Sequence, residues 1–262
     1  MARSLFDLTG RVVIATGGAS GIGLAFLTGC ARQGADVVIW DRDAERLPAA
    51  LEVLREAGAR RVHAETVDVS DEATVETALT ATLAVFGRID CALANAGFIS
   101  RAAAFPDMTS AIWHDLLAVN LHGAFYTLRA VSRHMRERAR AGDPGGSLVI
   151  TGSLSIFHGL QGMEHYASAK GALAAMVKGL AVELGQYGVR ANMLAPGFIK
   201  TGMTDSPEAA AVIERMATIT PLGRAGEPGD IEGPAAYLAS DASRFHTGDI
   251  LVVDGGRRVK SL

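Results

Sequence analysis

Along this chain, short β-branched and apolar runs alternate with longer stretches whose apolar positions recur every three or four residues. Val12–Ala15, Val37–Trp40, Val62–Val67, Ile89–Ala94, Ser147–Thr151, Ala191–Leu194 and Ile250–Val253 read as strands. Their near-continuous apolar character is that of strands buried on both faces. Helical patterns lie between them. One opens near Gly21, one spans Ala44–Ala57 behind an Asp43 N-cap, and one spans Glu72–Phe86 behind Ser70 and Asp71. Two longer ones cover Trp113–Met135 and Tyr166–Gln186. Strict alternation demands crossovers, so the expected fold is α/β, a Rossmann-type doubly wound parallel sheet with helices on both faces. The polar stretch Arg136–Gly146 reads as a surface connection into the next strand. No change of composition marks a second unit, and the whole of 1–262 is expected to be one domain.

Composition narrows the class. The chain has 262 residues, 49% hydrophobic and 20% charged, enough to build a substantial core. A formal net charge of -3 gives no field for nucleic acid or an anionic membrane. Cys30 and Cys91 lack CxxC or ligand-like spacing, so reduced buried thiols and no metal are expected. Asp7 and Arg11 interrupt the start where a signal peptide needs an apolar run. Lys178 and Glu183 break the most apolar later region, Ala172–Leu184, before it can span a bilayer. The terminal Lys260-Ser261-Leu262 is not the peroxisomal Ser-Lys-Leu. A cytoplasmic protein is expected.

The first strand runs directly into Thr16-Gly17-Gly18-Ala19-Ser20-Gly21-Ile22-Gly23, and a helix follows. Glycines there allow a tight turn, close approach of backbone to a pyrophosphate, and helix-on-strand packing. The helix N-terminus then attracts the phosphates. A glycine-rich turn can be structural only; its position between first strand and first helix is what points to a dinucleotide. Asp41 follows the second strand, where a carboxylate hydrogen-bonds ribose hydroxyls and repels a 2′-phosphate. Arg42 pulls the other way, since a guanidinium there can accept that phosphate. The carboxylate makes NAD the expected cofactor, with NADP the alternative.

These motifs, taken with Asp68-Val69, Asn95-Ala96-Gly97, Asn120, Ser153, Tyr166-Ala167-Ser168-Ala169-Lys170, Pro196-Gly197 and Val253-Asp254-Gly255-Gly256, resemble the short-chain dehydrogenase/reductase family over essentially the whole chain. The turn has that family's TGxxxGxG form. The resemblance implies cofactor contacts from Gly17, Ser20, Gly21, Ile22, Gly23, Asp41 and Arg42. It also implies that Asp68 and Val69 meet the adenine, and that Asn95, Ala96 and Gly97 line the central stretch. Pro196, Gly197 and Ile199 are implied to approach the nicotinamide, with Thr201 near its carboxamide or the phosphates. Ala94 departs from the pattern, standing where the family often has a first asparagine.

The side chains themselves suggest the chemistry. Tyr166 and Lys170 stand four apart on one helix face. A free phenol, with a pKa of about 10, is a poor base at neutral pH, and lowering it into range takes about 3–4 kcal/mol of differential electrostatics. An adjacent ammonium and the positive ring of NAD+ supply this, so Lys170 is expected to lower the pKa of Tyr166. Ser153 follows a strand at the carboxyl edge and can hold the reacting oxygen; no GxSxG elbow marks it as a nucleophile. Asn120 is a poor helix former inside a helical run, and the resemblance implies that it disturbs the helix and helps hold a water that relays protons to the lysine.

Substrate contacts are expected from Phe98, Ser153, His158, Gln161, Met163, Tyr166 and Met203, under a lid of about 198–220. His158 and Gln161 suggest extra hydroxyls, hence a polyol or cyclic alcohol. Apolar excess on Trp113–Met135 and Tyr166–Gln186, with the family's habit, implies a homo-oligomer, a tetramer. The expected activity is NAD-dependent interconversion of a secondary alcohol and its ketone. The competing readings are an NADPH-dependent carbonyl reductase and a non-catalytic nucleotide-binding sensor.

Overall fold

Successive strand residues point to opposite faces, and both faces of this sheet are dry. Val12, Ile14, Val38 and Trp40 join one core; Val13, Ala15, Val37 and Ile39 join the other. The computed structural model describes residues 4–100, 104–201 and 207–260. Its elements in chain order are β1 (Val12–Thr16), α1 (Gly21–Ala31), β2 (Asp36–Asp41), α2 (Leu47–Glu56), β3 (Val62–Thr66), α3 (Glu72–Phe86), β4 (Cys91–Ala94), α4 (Ser110–Leu117) and α5 (Ala124–Arg140). There follow β5 (Gly146–Thr151), α6 (Glu164–Leu184), β6 (Val189–Pro196), α7 (Pro207–Ile219), α8 (Gly229–Ala239) and β7 (Ile250–Val253).

All pairings are parallel, in the order β3-β2-β1-β4-β5-β6-β7. The order reverses between β1 and β4, which opens a crevice at the carboxyl ends of the strands where open α/β sheets bind ligands. Helices α3, α5 and α6 cover the first core, and α1, α2 and α8 cover the second. This is the expected Rossmann-type single domain. Trp40, fully buried, satisfies its indole N–H on Thr82 Oγ1 at 3.1 Å.

Several limits differ from the sequence reading, three of them informatively. Helix α2 begins at Leu47, not Ala44, because Pro48 in its first turn fixes the start. Asp43 is not its cap; its carboxylate pairs with Arg46 at 2.9 Å. Helix α5 continues to Arg140, through residues read as loop. Its last turn is tethered where Arg138 donates to Ile89 O and Asp90 Oδ1, both at 3.0 Å. The long helix Trp113–Met135 is interrupted by a π-helical turn, Ala118–Gly123, between α4 and α5.

At the opposite end of the sheet, buried Asp90 gathers charge. Arg88 and Arg138 donate to its carboxylate, Arg11 lies at 3.3 Å, and the Val12 amide donates at 2.9 Å. Burial alone raises this carboxyl, but the Arg88 and Val12 hydrogen bonds and the Arg138 charge outweigh it and hold it below its ordinary value. Among the described residues no helix is long and apolar enough to cross a membrane, and no cluster of metal-ligating side chains occurs.

Candidate active site

The glycine turn after β1 forms one wall of an open cleft of about 420 Å³. Gly17 and Gly21 adopt φ of +62° and +54°, where a side chain strains the backbone. A Cβ on Gly23 would meet Gly17 O at 2.2 Å, and one on Gly17 would meet the Ala96 backbone at 3.0 Å. The missing side chains leave a cradle of backbone at the start of α1, which fits a pyrophosphate. Gly17, Ser20, Gly21, Ile22, Asp41, Arg42, Asp68, Val69, Asn95, Ala96, Gly97 and Thr201 all line this cleft, as do Asn120, Tyr166 and Lys170. Gly23 lies behind the cradle and closes it. Gly197 and Ile199 instead line a second, smaller cavity of about 140 Å³. Pro196 ends β6, paired with Val253.

Asp41 is tied to the turn it was expected to accompany. One of its oxygens accepts from Ala19 N and the other from Asp43 N, both at 3.0 Å. Asp68 accepts from the hydroxyl and amide of Ser70; these bonds, with the nearby Arg42 charge, lower its pKa against a small opposing effect of burial. Arg42 and Arg46 stand beside these carboxylates at the same end of the cleft.

The catalytic candidates hang on a chain of strand ends. Thr16 Oγ1 accepts from the amides of Asn95 (2.9 Å) and Ala96 (3.0 Å). Asn95 Nδ2 donates back to Thr16 O and Gly17 O, and Asn95 Oδ1 accepts from Thr151 Oγ1 at 2.9 Å. Thr151 O accepts from Lys170 Nζ at 2.7 Å. Thus β1, β4, β5 and α6 are locked together where the cleft meets the phenol. Sequence reasoning passed over Thr16 and Thr151; the available signal was a hydroxyl closing an otherwise apolar strand.

Asn120 sits in the π-helical turn, 1% exposed. Its Oδ1 accepts from Phe98 N at 3.0 Å, and its Nδ2 donates to Phe98 O at 2.9 Å. The side chain therefore substitutes for backbone pairing, holds the loop after β4, and marks the helix interruption that the family resemblance implied.

Contrary to the expectation from helix spacing, Lys170 does not lower the Tyr166 pKa in the protein by itself. Tyr166 is 7% exposed, and burial raises its phenol; the opposing influence is a hydrogen bond with Ser153. Lys170 Nζ lies 5.7 Å from the tyrosine ring centroid, turned to Thr151 O. Its own pKa is lowered to about 8 by burial, which places it in the range where it can exchange a proton.

Of the substrate candidates, Phe98 borders the cleft, and Met163 packs beside Tyr166, Leu116 and Ala169. His158 and Gln161 are exposed and border neither cavity. Met203 falls outside the described residues. Both cysteines are buried and free; burial raises the Cys30 thiol well above its ordinary value and the Cys91 thiol to about 12.

With this geometry in view, the comparisons with known proteins agree. A family model described as Enoyl-(Acyl carrier protein) reductase matches residues 17–258. The L-rhamnose 1-dehydrogenase (NAD(P)(+)) of Azotobacter vinelandii is 37% identical, over 95% of this chain and 97% of that protein. The 5-keto-D-gluconate 5-reductase of Escherichia coli K12 is 35% identical, over 97% and 98%. The crystal structure of levodione reductase superposes with a TM-score of 0.90 at 33% identity, covering 97% of this chain and all of that one.

Proposed function

As this chain belongs to the short-chain dehydrogenase/reductase family, we propose that it interconverts a secondary alcohol and its ketone, with NAD as hydride carrier. The observation that carries the reading is one continuous cleft containing the glycine cradle, Asn120, Tyr166 and Lys170. A nicotinamide cofactor held by the glycine cradle and the cleft walls would supply the hydride chemistry that links the carbinol and the ketone. Tyr166 takes or gives the proton at the reacting oxygen. Ser153, hydrogen-bonded to that phenol, steadies the same oxygen as charge develops. Lys170 resupplies the proton from a site where its charge is already costly. Asn120 holds the Phe98 loop against the cleft.

NAD is the proposed form because Asp41 presents a carboxylate to the cleft at the end of β2, where an acidic group would bond ribose hydroxyls and repel a 2′-phosphate. A second reading, NADP, is favoured by Arg42 and Arg46 at the same end. The relatives' substrates, a sugar and a sugar-derived keto acid, point to a polyhydroxylated carbon chain. The segment 198–220, which includes α7, serves as the lid. The enzyme works in the cytoplasm, where free buried thiols persist. It assembles as a homotetramer through α5 and α6, on which Phe125 (39%) and Val182 (85%) are exposed; a monomer by light scattering would exclude this.

The direct test is NADH formation across polyols, sugars and cyclic alcohols, with Tyr166→Phe as the critical variant. Its kcat is expected to fall by about 10²–10⁴ while NADH affinity stays within about twofold. A variant keeping more than about a tenth of wild-type turnover overturns the assignment.

A further inference from the structure

One buried imidazole has no part in the reaction described above. Of the seven histidines in the sequence only His165 is buried, at 0% exposure. It is the second residue of α6 and directly precedes Tyr166. Successive residues of a helix point roughly 100° apart, so the imidazole and the phenol do not share a face. The imidazole borders neither cavity. Its Nε2 instead meets Ser100 Oγ at 3.0 Å, and its Nδ1 is buried with no partner among the described residues. A half-satisfied buried ring costs stability that an apolar side chain of similar volume would not. Such a local conflict belongs where a position serves function.

Ser100 lies in the loop that leaves β4, and this loop forms a wall of the cleft: Gly97, Phe98 and Ile99 line it together with Asn120 and Tyr166. The wall is already fastened once. Asn120 exchanges two hydrogen bonds with the Phe98 backbone, and a Cβ on Gly97 would meet Asn120 Oδ1 at 3.1 Å, so the approach there is close. The bond between His165 and Ser100 is a second fastening. Between the two lie Phe98, packed against Leu116, Met163, Tyr166 and Ala169, and Ile99, which is 60% exposed. An isoleucine so exposed has little packing of its own, and its place is set by the backbone on either side. A single fastening fixes a point and leaves the chain beyond it free to swing; a second fixes its course. Asn120 belongs to the turn between α4 and α5, whereas His165 belongs to the helix that carries Tyr166 and Lys170.

We propose that His165 is a positioning residue: through Ser100 it registers the Phe98–Ile99 wall against the helix bearing Tyr166, and so sets how tightly the alcohol is held beside the phenol. This rests on the reading above for the reaction itself, and adds a residue that touches neither substrate nor cofactor. The bond takes no part in moving the proton or the hydride. It therefore acts on ground state and transition state alike, and its loss shows in KM rather than in kcat.

The test compares His165→Leu, His165→Gln and Ser100→Ala in the full chain; the last lies outside the core and repeats the test should the leucine variant fold poorly. Backbone amide exchange, read by mass spectrometry, should be about tenfold faster across residues 97–100 in His165→Leu and Ser100→Ala, and unchanged across α6. His165→Gln, whose amide reaches the place of Nε2 and can donate or accept, should return exchange to within about twofold of the wild type. A histidine that only filled space would be replaced best by leucine. The functional arm is oxidation, with NAD+ and with NADP+, of the polyols, sugars and cyclic alcohols screened above, L-rhamnose, xylitol and cyclohexanol among them. KM for any that is turned over should rise about tenfold in the leucine and alanine variants, with kcat within about twofold, and recover in His165→Gln. Faster loop exchange without turnover of any alcohol by the wild type would confirm the fastening and discard the reaction proposed above. Unchanged exchange in both variants, leucine restoring more than glutamine, an unchanged KM, or a fall in kcat at constant KM would each overturn the inference.

Discussion

Replacing Lys170 by methionine should make the folded protein more stable and the enzyme inactive. The ammonium is 4% exposed, and its pKa falls from 10.5 to about 8 on burial alone. The free energy of that lowering, about 1.4 kcal/mol per unit, is about 3 kcal/mol against folding at pH 7. Against it stands the bond to Thr151 O at 2.7 Å, for which about 1–2 kcal/mol is a fair offset. Methionine matches the length without the charge, so a net gain of about 1–2 kcal/mol is expected. For a chain of this size that raises Tm by about 2–6 °C. The sign fixes the pH dependence. A lysine whose folded pKa is lowered binds fewer protons folded than unfolded between about 8 and the unfolded value. The wild type therefore gains stability as pH rises through that window, and its deficit relative to Lys170→Met closes. Scanning calorimetry of both proteins without cofactor at about pH 7 and about pH 9.5 measures the gap, and kcat should fall by about 10³ or more. A methionine variant less stable at neutral pH, or a gap that does not narrow with pH, refutes the account of Lys170 as a cation held at a cost.

Two further substitutions probe the ends of the sheet. Asp41→Asn keeps an acceptor for Ala19 N and removes the charge that repels a 2′-phosphate, so kcat/KM for NADP+ relative to NAD+ should rise about tenfold; an unchanged ratio would leave discrimination to Arg42 and Arg46. Asp90→Ala strands Arg88, Arg138 and Arg11 around a buried void, and urea denaturation should show a loss of about 3 kcal/mol with no change in cofactor affinity. The same carboxylate gives an acid-side signature. Its folded pKa is lowered, so the stability it contributes is present above its unfolded value and is lost as pH falls through the folded one; Asp90→Ala should lack that part of the acid transition.

The strands were legible because burial on both faces leaves an unbroken apolar run, and β1, β2 and β7 fall within a residue of the expected limits. Helix limits were less so. Pro48 overrode Asp43 as the start of α2, and the charged last turn of α5 looked like loop because its Arg138 serves the distant Asp90. In the candidate site, residues grouped by local spacing were readable as neighbours of one cleft: the glycine turn, and Tyr166 with Lys170 one helical turn later. Through-space pairing was not. Nothing in the linear order connects Thr16 to Asn95, or Thr151 to Lys170, seventy-nine and nineteen positions away. Burial, too, is a property of the fold, and it is burial that raises the phenol which the adjacent ammonium, with the ring of NAD+, was expected to acidify.

That reversal changes the division of labour in the site. A phenol raised by desolvation holds its proton firmly when the protein stands alone, which is the state required for donation to a ketone. The lysine lowered to about 8 is the group in the site closest to neutrality, and it is pinned to Thr151 rather than to the phenol. Thr151 in turn holds Asn95, and Asn95 holds the glycine turn through Thr16 and Gly17. An unbroken chain of hydrogen bonds of 2.7–3.2 Å therefore connects that turn to the carbonyl against which the ammonium rests. In the proposed function, the strand ends that would cradle the cofactor are thus the same ones that anchor the lysine beside the phenol.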